Sequence, residues 1–361
     1  MTEPGDGHHE FIGELLRSQA TPIAQDATAH LLALRPSIAP RPGTGPAPEW
    51  RDAVESRVRD LAEAVALDAP GLLADQVVWA RLAFLARGIS PDPLRDTLDA
   101  IARALPAYLP PDDLPLAVGF LDHARRCFDE PNTEPPPFLS VNATLGRLAA
   151  NYLLAILEGD RARACDLVVD AAAGKGQPAV HPADLYEHVF TPVLREVGRM
   201  WHAGEVNVAE EHFASATTGT AMARVAALAP KAPRDGRVVL AASVAGNHHD
   251  LGVRMVADQF EWAGWRAIYL GPNLPAEDLV LAVMDFKVDL LALSVALPQQ
   301  VRHAAQTVET LRAASKDRLK VIIGGNAFSR DPSLASRVGA DAHAASPRDA
   351  VALADRLVPR R

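Results

Sequence analysis

The sequence predicts an all-helical stretch followed by an α/β domain, α plus α/β in class, and three observations lead there. From Trp50 to Leu228 apolar residues recur at intervals of three and four, the spacing of amphipathic helices. From Arg237 onward, β-branched apolar runs alternate with helical segments: "RVVLAAS", "WRAIYLG", "VDLLALSVA" and "LKVIIGG". That rhythm belongs to an open, doubly wound parallel sheet, Rossmann-like or flavodoxin-like. Pro- and Gly-rich joins such as "RPSIAPRPGTGPAPEW", "EPNTEPPP" and "APKAPRDG" divide the chain where the rhythm changes.

Taken in order, residues 1–48 read as a disordered tail with one helix near 10–18, then a Pro-rich linker. Residues 49–132 read as an N-terminal helical domain. Its helices are "EWRDAVESRVRDLAEAVALD", "PGLLADQVVWARLAFLARG", "PDPLRDTLDAIARALPAYL" and "PLAVGFLDHARRCFDE". Residues 138–230 hold four more helices with short joins, the pattern of a four-helix bundle. Residues 236–361 hold the sheet. No short-period internal repeat is present.

Composition narrows the function. Hydrophobic residues make up 48% of the 361 but aromatics only 5%, so the core is mostly Ala, Leu and Val. The formal net charge is −9 and no run of five basic residues occurs, which argues against direct nucleic-acid binding. No apolar run is long enough to cross a bilayer and "MTEPGDGHHE" is polar, so a cytoplasmic protein without signal peptide is expected. Cys127 and Cys165 read as reduced thiols. No kinase, cyclase or nuclease motif occurs, so the chain is not expected to be an enzyme and its downstream partner is not legible.

The first chemical signal is "AGNHHDLG", Ala245–Gly252, where a strand ends and a helix begins. Ligands of doubly wound sheets bind at that place. His249 stands three residues before Gly252. Ser294 ends a second strand in "LALSVAL", and Gly324–Gly325 ends a third in "VIIGGNAF". Three such ends on one sheet edge define a slot, and no G-x-G-x-x-G marks a dinucleotide site.

These residues, with "YLGPNLPAEDLV", resemble the cobalamin-binding domains of the base-off/His-on type. The resemblance implies that His249 is the lower cobalt ligand. It implies that Gly252, Ser294, Gly324 and Gly325 line the slot for the displaced nucleotide tail, with Asp250, Leu251 and Leu297 among the further cofactor-binding residues. His248 is then a neighbour. Asn247 departs from the family, which has an acidic residue there. A neutral amide gives the far ring nitrogen less electrostatic support than a carboxylate.

The second signal is "MWHAGEVNVAEEHFAS", Met200–Ser215. Trp201 and His202 close one helix. Asn207 and Glu210 form a capping-box pattern that opens the next, with Glu211 and His212 in its first turn. This joint is similar to the lid of light-sensing cobalamin proteins of the CarH type, and the likeness covers about 140–361. It implies that Trp201 covers the adenosyl group of adenosylcobalamin and that Glu211 and His212 help hold it. His202 would become the upper cobalt ligand after light breaks the cobalt–carbon bond. Light-dependent change of a homo-oligomer would be the output.

The N-terminal helices resemble those of photocobilins, which pair cobalamin with biliverdin. That resemblance implies a linear-tetrapyrrole site at the junction with the cobalamin module. A bilin needs cations for its propionates and an acceptor for its pyrrole N–H groups, and Asp75, Trp79, Arg81 and Arg87 are the candidate lining residues. Two readings of 49–132 stand: a bilin site, or a self-association module. For the whole chain, the alternative to a photoreceptor is a corrinoid methyl carrier serving a separate methyltransferase. A radical-mutase subunit would need a barrel that the sequence lacks.

Overall fold

The computed structural model describes residues 6–38, 48–130, 137–315, 318–329 and 331–360. The chain divides into two compact units, Met1–Glu134 and Pro135–Arg361.

The first unit contains α1 (Asp6–Ser18), α2 (Ala20–Leu34), α3 (Pro48–Ala66), α4 (Pro70–Ala86), α5 (Asp92–Ala104) and α6 (Leu114–Asp129). The helix expected near 10–18 is α1, and the expectation of a disordered tail around it is corrected, since residues 6–34 are helical apart from the single joint residue Gln19. Ile12 and Leu16 on α1, then Ile23, Ala27 and Leu31 on α2, are fully buried. Each set repeats at four, so each helix docks an apolar stripe. α1 packs on α3, and α2 on α3 and α5. Gly13 permits the close approach: a Cβ there would lie 2.5 Å from Ala66 Cβ and 2.7 Å from Ala62 O. The Pro-rich stretch 39–47 and the second linker, 131–136, lie outside the described residues.

The second unit begins with the bundle: α7 (Gly146–Leu157), α8 (Arg161–Ala173), α9 (Pro182–Leu185), α10 (Thr191–His202) and α11 (Val208–Ala226). A π turn, Tyr186–Phe190, joins α9 to α10, so these two make one interrupted helix and the bundle has four. α7 starts later than the 138 suggested by the apolar spacing. Leu145 takes a left-handed φ of 55° at its N-cap, and a Cβ on Gly146 would stand 2.0 Å from Ser140 O. Tyr152, Tyr186, Phe190 and Met222 fill the bundle core.

The sheet follows: β1 (Val238–Val244), α12 (Leu251–Trp262), β2 (Arg266–Leu274), α13 (Ala276–Phe286), β3 (Leu290–Ser294), α14 (Val301–Ser315), β4 (Lys320–Gly324), α15 (Leu334–Arg337), β5 (Ala342–Ala344) and α16 (Pro347–Leu357). All pairings are parallel and the order is β2-β1-β3-β4-β5, the flavodoxin-like variant of the expected class. β1 is buried along its whole length, as a central parallel strand should be. β5 adds a strand that the sequence pattern did not reveal.

Arg237, just before β1, is fully buried. Its guanidinium lies 3.9 Å from the Trp265 ring centroid, pairs with Asp235 at 2.5 Å and with Asp355 at 2.7 Å, and donates to Val358 O at 2.9 Å. The base of the first strand is thus tied to the last helix. Tyr186 of the π turn donates to Asp258 of α12 at 2.7 Å and packs against Trp262 with 5.1 Å between ring centroids, which joins bundle to sheet. Among the described residues no helix is long and apolar enough to cross a membrane.

Candidate functional site

The β1 and β3 ends are neighbours whose connections leave the sheet in opposite directions, which opens a crevice at their carboxyl ends. Strand register brings Ser243, Ser294, Gly324 and Ala344 to one level across β1, β3, β4 and β5. A rim of such small residues leaves space above the sheet. Gly325 follows with φ of +111°, and a Cβ there would lie 2.2 Å from Val295 O. Only glycine lets these two loops approach so closely.

Between β1 and α12 lies the histidine loop. Gly246 takes φ of +76° and turns the chain. Asn247 is fully buried. Its Nδ2 donates to Ser294 O at 3.0 Å, and its Oδ1 accepts from His249 N at 3.0 Å. A carbonyl only accepts and a backbone N–H only donates, so the amide orientation is fixed twice over. His249 Nδ1 stands 3.3 Å from the same Oδ1 and can meet it only as a donor. That contact favours the Nδ1–H tautomer, in which the lone pair is on Nε2. Asn247 therefore does the orienting expected of an acidic residue, without the negative charge. Ser243 Oγ also donates to His249 O at 3.1 Å.

The other residues of the expected slot lie around this loop. Asp250 accepts from Tyr269 OH at 2.8 Å, which ties the loop to edge strand β2. Burial and the Asp250 carboxylate push the Tyr269 hydroxyl well above its ordinary pKa. Gly252 lies in the first turn of α12, and a Cβ built there meets nothing within 4 Å. Leu297 is exposed beyond the end of β3, and His248 is exposed as well.

On the bundle side, Trp201 is half-buried and His202 buried at the end of α10. Arg199 forks onto Glu205 with two 3.0 Å bonds and reaches Glu196 at 2.9 Å, which fixes the turn that follows. Both carboxylates hold the guanidinium pKa above its ordinary value. The capping box at Asn207 forms as its spacing predicts. Glu211 then accepts from Ser215 Oγ at 2.8 Å and faces His212 Nδ1 at 2.7 Å.

An open cleft of about 440 Å³ joins bundle and sheet. Its walls are Ser215, Ala216, Gly219 and Thr220 of α11, and Asp250, Leu251 and Arg254 of the sheet domain. Ser215 thus links the Glu211 turn to the cleft that the histidine loop borders. Sequence reasoning missed Ser215, Gly219 and Arg254. Small residues four apart on α11 (Ser215, Gly219) were the available signal, masked by the abundance of Ala and Gly.

The first unit places Asp75 and Trp79 four residues apart on α4, Asp75 half-buried and Trp79 48% exposed. Arg81 is engaged elsewhere: its Nη1 donates to Phe128 O and Glu130 O at 2.6 and 2.9 Å, and the guanidinium sits 5.2 Å from the Phe128 ring. Arg87 Nη1 donates to Ala83 O.

The donor set fits a large flat metal ring with a tail. An oriented imidazole is exposed at the sheet edge, small residues line the rim, and open space lies beside Gly252. Comparison with known proteins points the same way. A B12 binding domain family matches residues 237–353, and a second B12 binding domain family matches 148–226. The HTH-type transcriptional repressor CarH of Myxococcus xanthus is 30% identical over 181 residues, half of this chain and 58% of that protein. Dimethylamine corrinoid protein 2 of Methanosarcina acetivorans is 24% identical over 193 residues, 53% of this chain and 88% of that protein. The solved Methanosarcina barkeri monomethylamine corrinoid protein superposes with a TM-score of 0.51 at 20% identity, covering 60% of this chain and all of that one, a likeness of fold.

Proposed function

We propose that this chain, which carries cobalamin-binding domains, is a light-responsive signalling protein whose chromophore is adenosylcobalamin. The observation that carries the reading is the shared cleft: α11, whose first turn includes Glu211, walls it with Ser215 and Gly219 opposite Asp250, the residue after His249.

His249 would hold cobalt from below through Nε2, a nitrogen donor suited to a borderline metal. Asn247, Asp250, Leu251 and Gly252 would shape the near wall, and Ser294, Leu297, Gly324 and Gly325 the slot for the nucleotide tail. Trp201, Glu211 and His212 would cover and hold the upper substituent and exclude water from it. Bound adenosylcobalamin would supply a cobalt–carbon bond that visible light cleaves. His202 is assigned as the nitrogen donor of the lit state, and its place at the end of α10 would pass the change into the bundle and thence to homo-oligomer assembly. A cytoplasmic location and a separate downstream partner complete the reading.

A second chromophore, biliverdin, is assigned to the first unit at Asp75 and Trp79. Arg81 is largely committed to backbone carbonyls there, so another cation would have to meet the propionates. The alternative for this unit is self-association.

A corrinoid methyl carrier is the second reading, favoured by the near full-length likeness to the dimethylamine corrinoid protein. The test is a pair of spectra and elution profiles, with adenosylcobalamin or methylcobalamin, in the dark and after green light. The photoreceptor reading expects preference for the adenosyl form and a light-induced change of oligomer. Equal binding of both forms with no change of assembly would support the carrier.

A further inference from the structure

The Gly246–Asn247 turn is secured by three amide side chains from three strand ends. Asn273, near the end of β2, accepts from Gly246 N through Oδ1 at 2.7 Å, and its own backbone N–H donates to Asn247 O at 2.9 Å. Gln300, between β3 and α14, donates from Nε2 to Gly246 O at 3.0 Å. Its Oε1 accepts from Ala296 N and Leu297 N at 3.1 and 3.0 Å. Gln300 is 5% exposed. Asn247 reaches the other way, from the β1 loop to Ser294 O. The β1 and β3 ends therefore each send a buried amide to the other's backbone, and β2 closes the ring.

Both backbone polar groups of Gly246 are taken by neutral side chains, and the same turn carries the amide that orients His249. A turn whose backbone groups are already bonded within the protein has less freedom to lose when a ligand arrives. We propose that Gln300 and Asn273 are positioning residues for His249: a neutral amide clamp that sets the height and tautomer of the imidazole before any corrinoid binds. This rests on the reading of His249 as cobalt ligand. It adds that the ligand loop is built in advance, by residues other than the ligand itself.

Gln300→Met keeps the shape and removes all three side-chain bonds. Asn273→Gly keeps the left-handed backbone, φ 58° in the parent, but removes the acceptor; Asn273→Asp keeps both. Amide hydrogen exchange of Gly246–His249 is read in the full-length apoprotein. Affinity for adenosylcobalamin is read by titration. The axial nitrogen splitting in the electron paramagnetic resonance spectrum of bound cob(II)alamin is read for each variant and for His249→Ala.

The clamp predicts that Gln300→Met and Asn273→Gly both speed loop exchange at least ~10-fold and weaken binding roughly 10- to 100-fold, with part of the nitrogen splitting lost. Asn273→Asp restores parent behaviour. Parent-like exchange and affinity in both Gln300→Met and Asn273→Gly would overturn the clamp. If His249→Ala keeps the nitrogen splitting, the ligand assignment fails instead, and loop exchange still decides whether the clamp exists. Should Gln300→Met not fold, Asn273→Gly, altered from a different strand end, answers the same question.

Discussion

Among single residues, His249 and Gly325 are the most sensitive positions. His249→Ala removes the imidazole that Asn247 holds ready, so bound cobalamin should lose its axial nitrogen and affinity should fall by ~10-fold or more. An unchanged absorption spectrum on titration would count against the assignment. Gly325→Ala adds a Cβ 2.2 Å from Val295 O on a backbone that L-residues rarely adopt. It should cost on the order of 3 kcal/mol, read as a lowered melting temperature. On the proposed light-responsive reading, His202→Ala should leave cobalt–carbon photolysis intact yet fail to give a stable bis-histidine cobalt(III) spectrum. A stable spectrum of that kind would transfer the role to another histidine. The places of His249, Ser294 and the glycine pair at strand ends were legible because strand-end patterns are local. Gln300 was not, because its worth lies in a carbonyl 54 residues away.

Among the elements, the start of α11 was legible because its cap is written in four consecutive residues: Asn207 accepts from Ala209 N and Glu210 N, and Glu210 accepts from Asn207 N in return. Asn207→Ala should cost about 1 kcal/mol by thermal melt. The π turn was invisible, since one extra residue in "DLYEHVFTPVL" barely disturbs the apolar spacing. β5 was invisible because three residues carry too little pattern. α1 was legible near 10–18, but α2 was hidden by weak amphipathic contrast, as its alanine faces read as neutral. Across the π turn, Tyr186 meets Asp258, whose carboxyl is pushed above its ordinary pKa by burial, while the Tyr186 hydroxyl pulls it down. A raised acid binds its proton more tightly in the folded state. Its contribution to stability is present below the ordinary carboxylate range and is lost as pH rises through the raised folded value. Asp258→Asn should flatten that component of the stability–pH curve; an unchanged curve would place the burden elsewhere. Tyr186→Phe should move the Asp258 titration further up, as followed by carboxyl NMR.

For the molecule as a whole, the boundary between the two units falls along the chain within "EPNTEPPP", which proline marks in the sequence because it ends helices whatever lies beyond. The second unit gathers its cleft from bundle and sheet together, so damage to either should loosen cobalamin. The Arg237 staple makes this concrete. Asp355→Ala leaves a buried guanidinium short of a partner and should cost about 2 kcal/mol in a denaturant melt, with cobalamin affinity falling as the base of β1 shifts. The same staple dictates an order of events on the ribosome. The histidine loop follows directly on a strand whose foundation includes Asp355 and Val358, more than a hundred residues later in synthesis. A nascent chain can finish the bundle early, but it has no finished floor for a corrinoid until those residues emerge. Pigment capture is therefore a late event, and stalled or prematurely terminated translation products should be colourless.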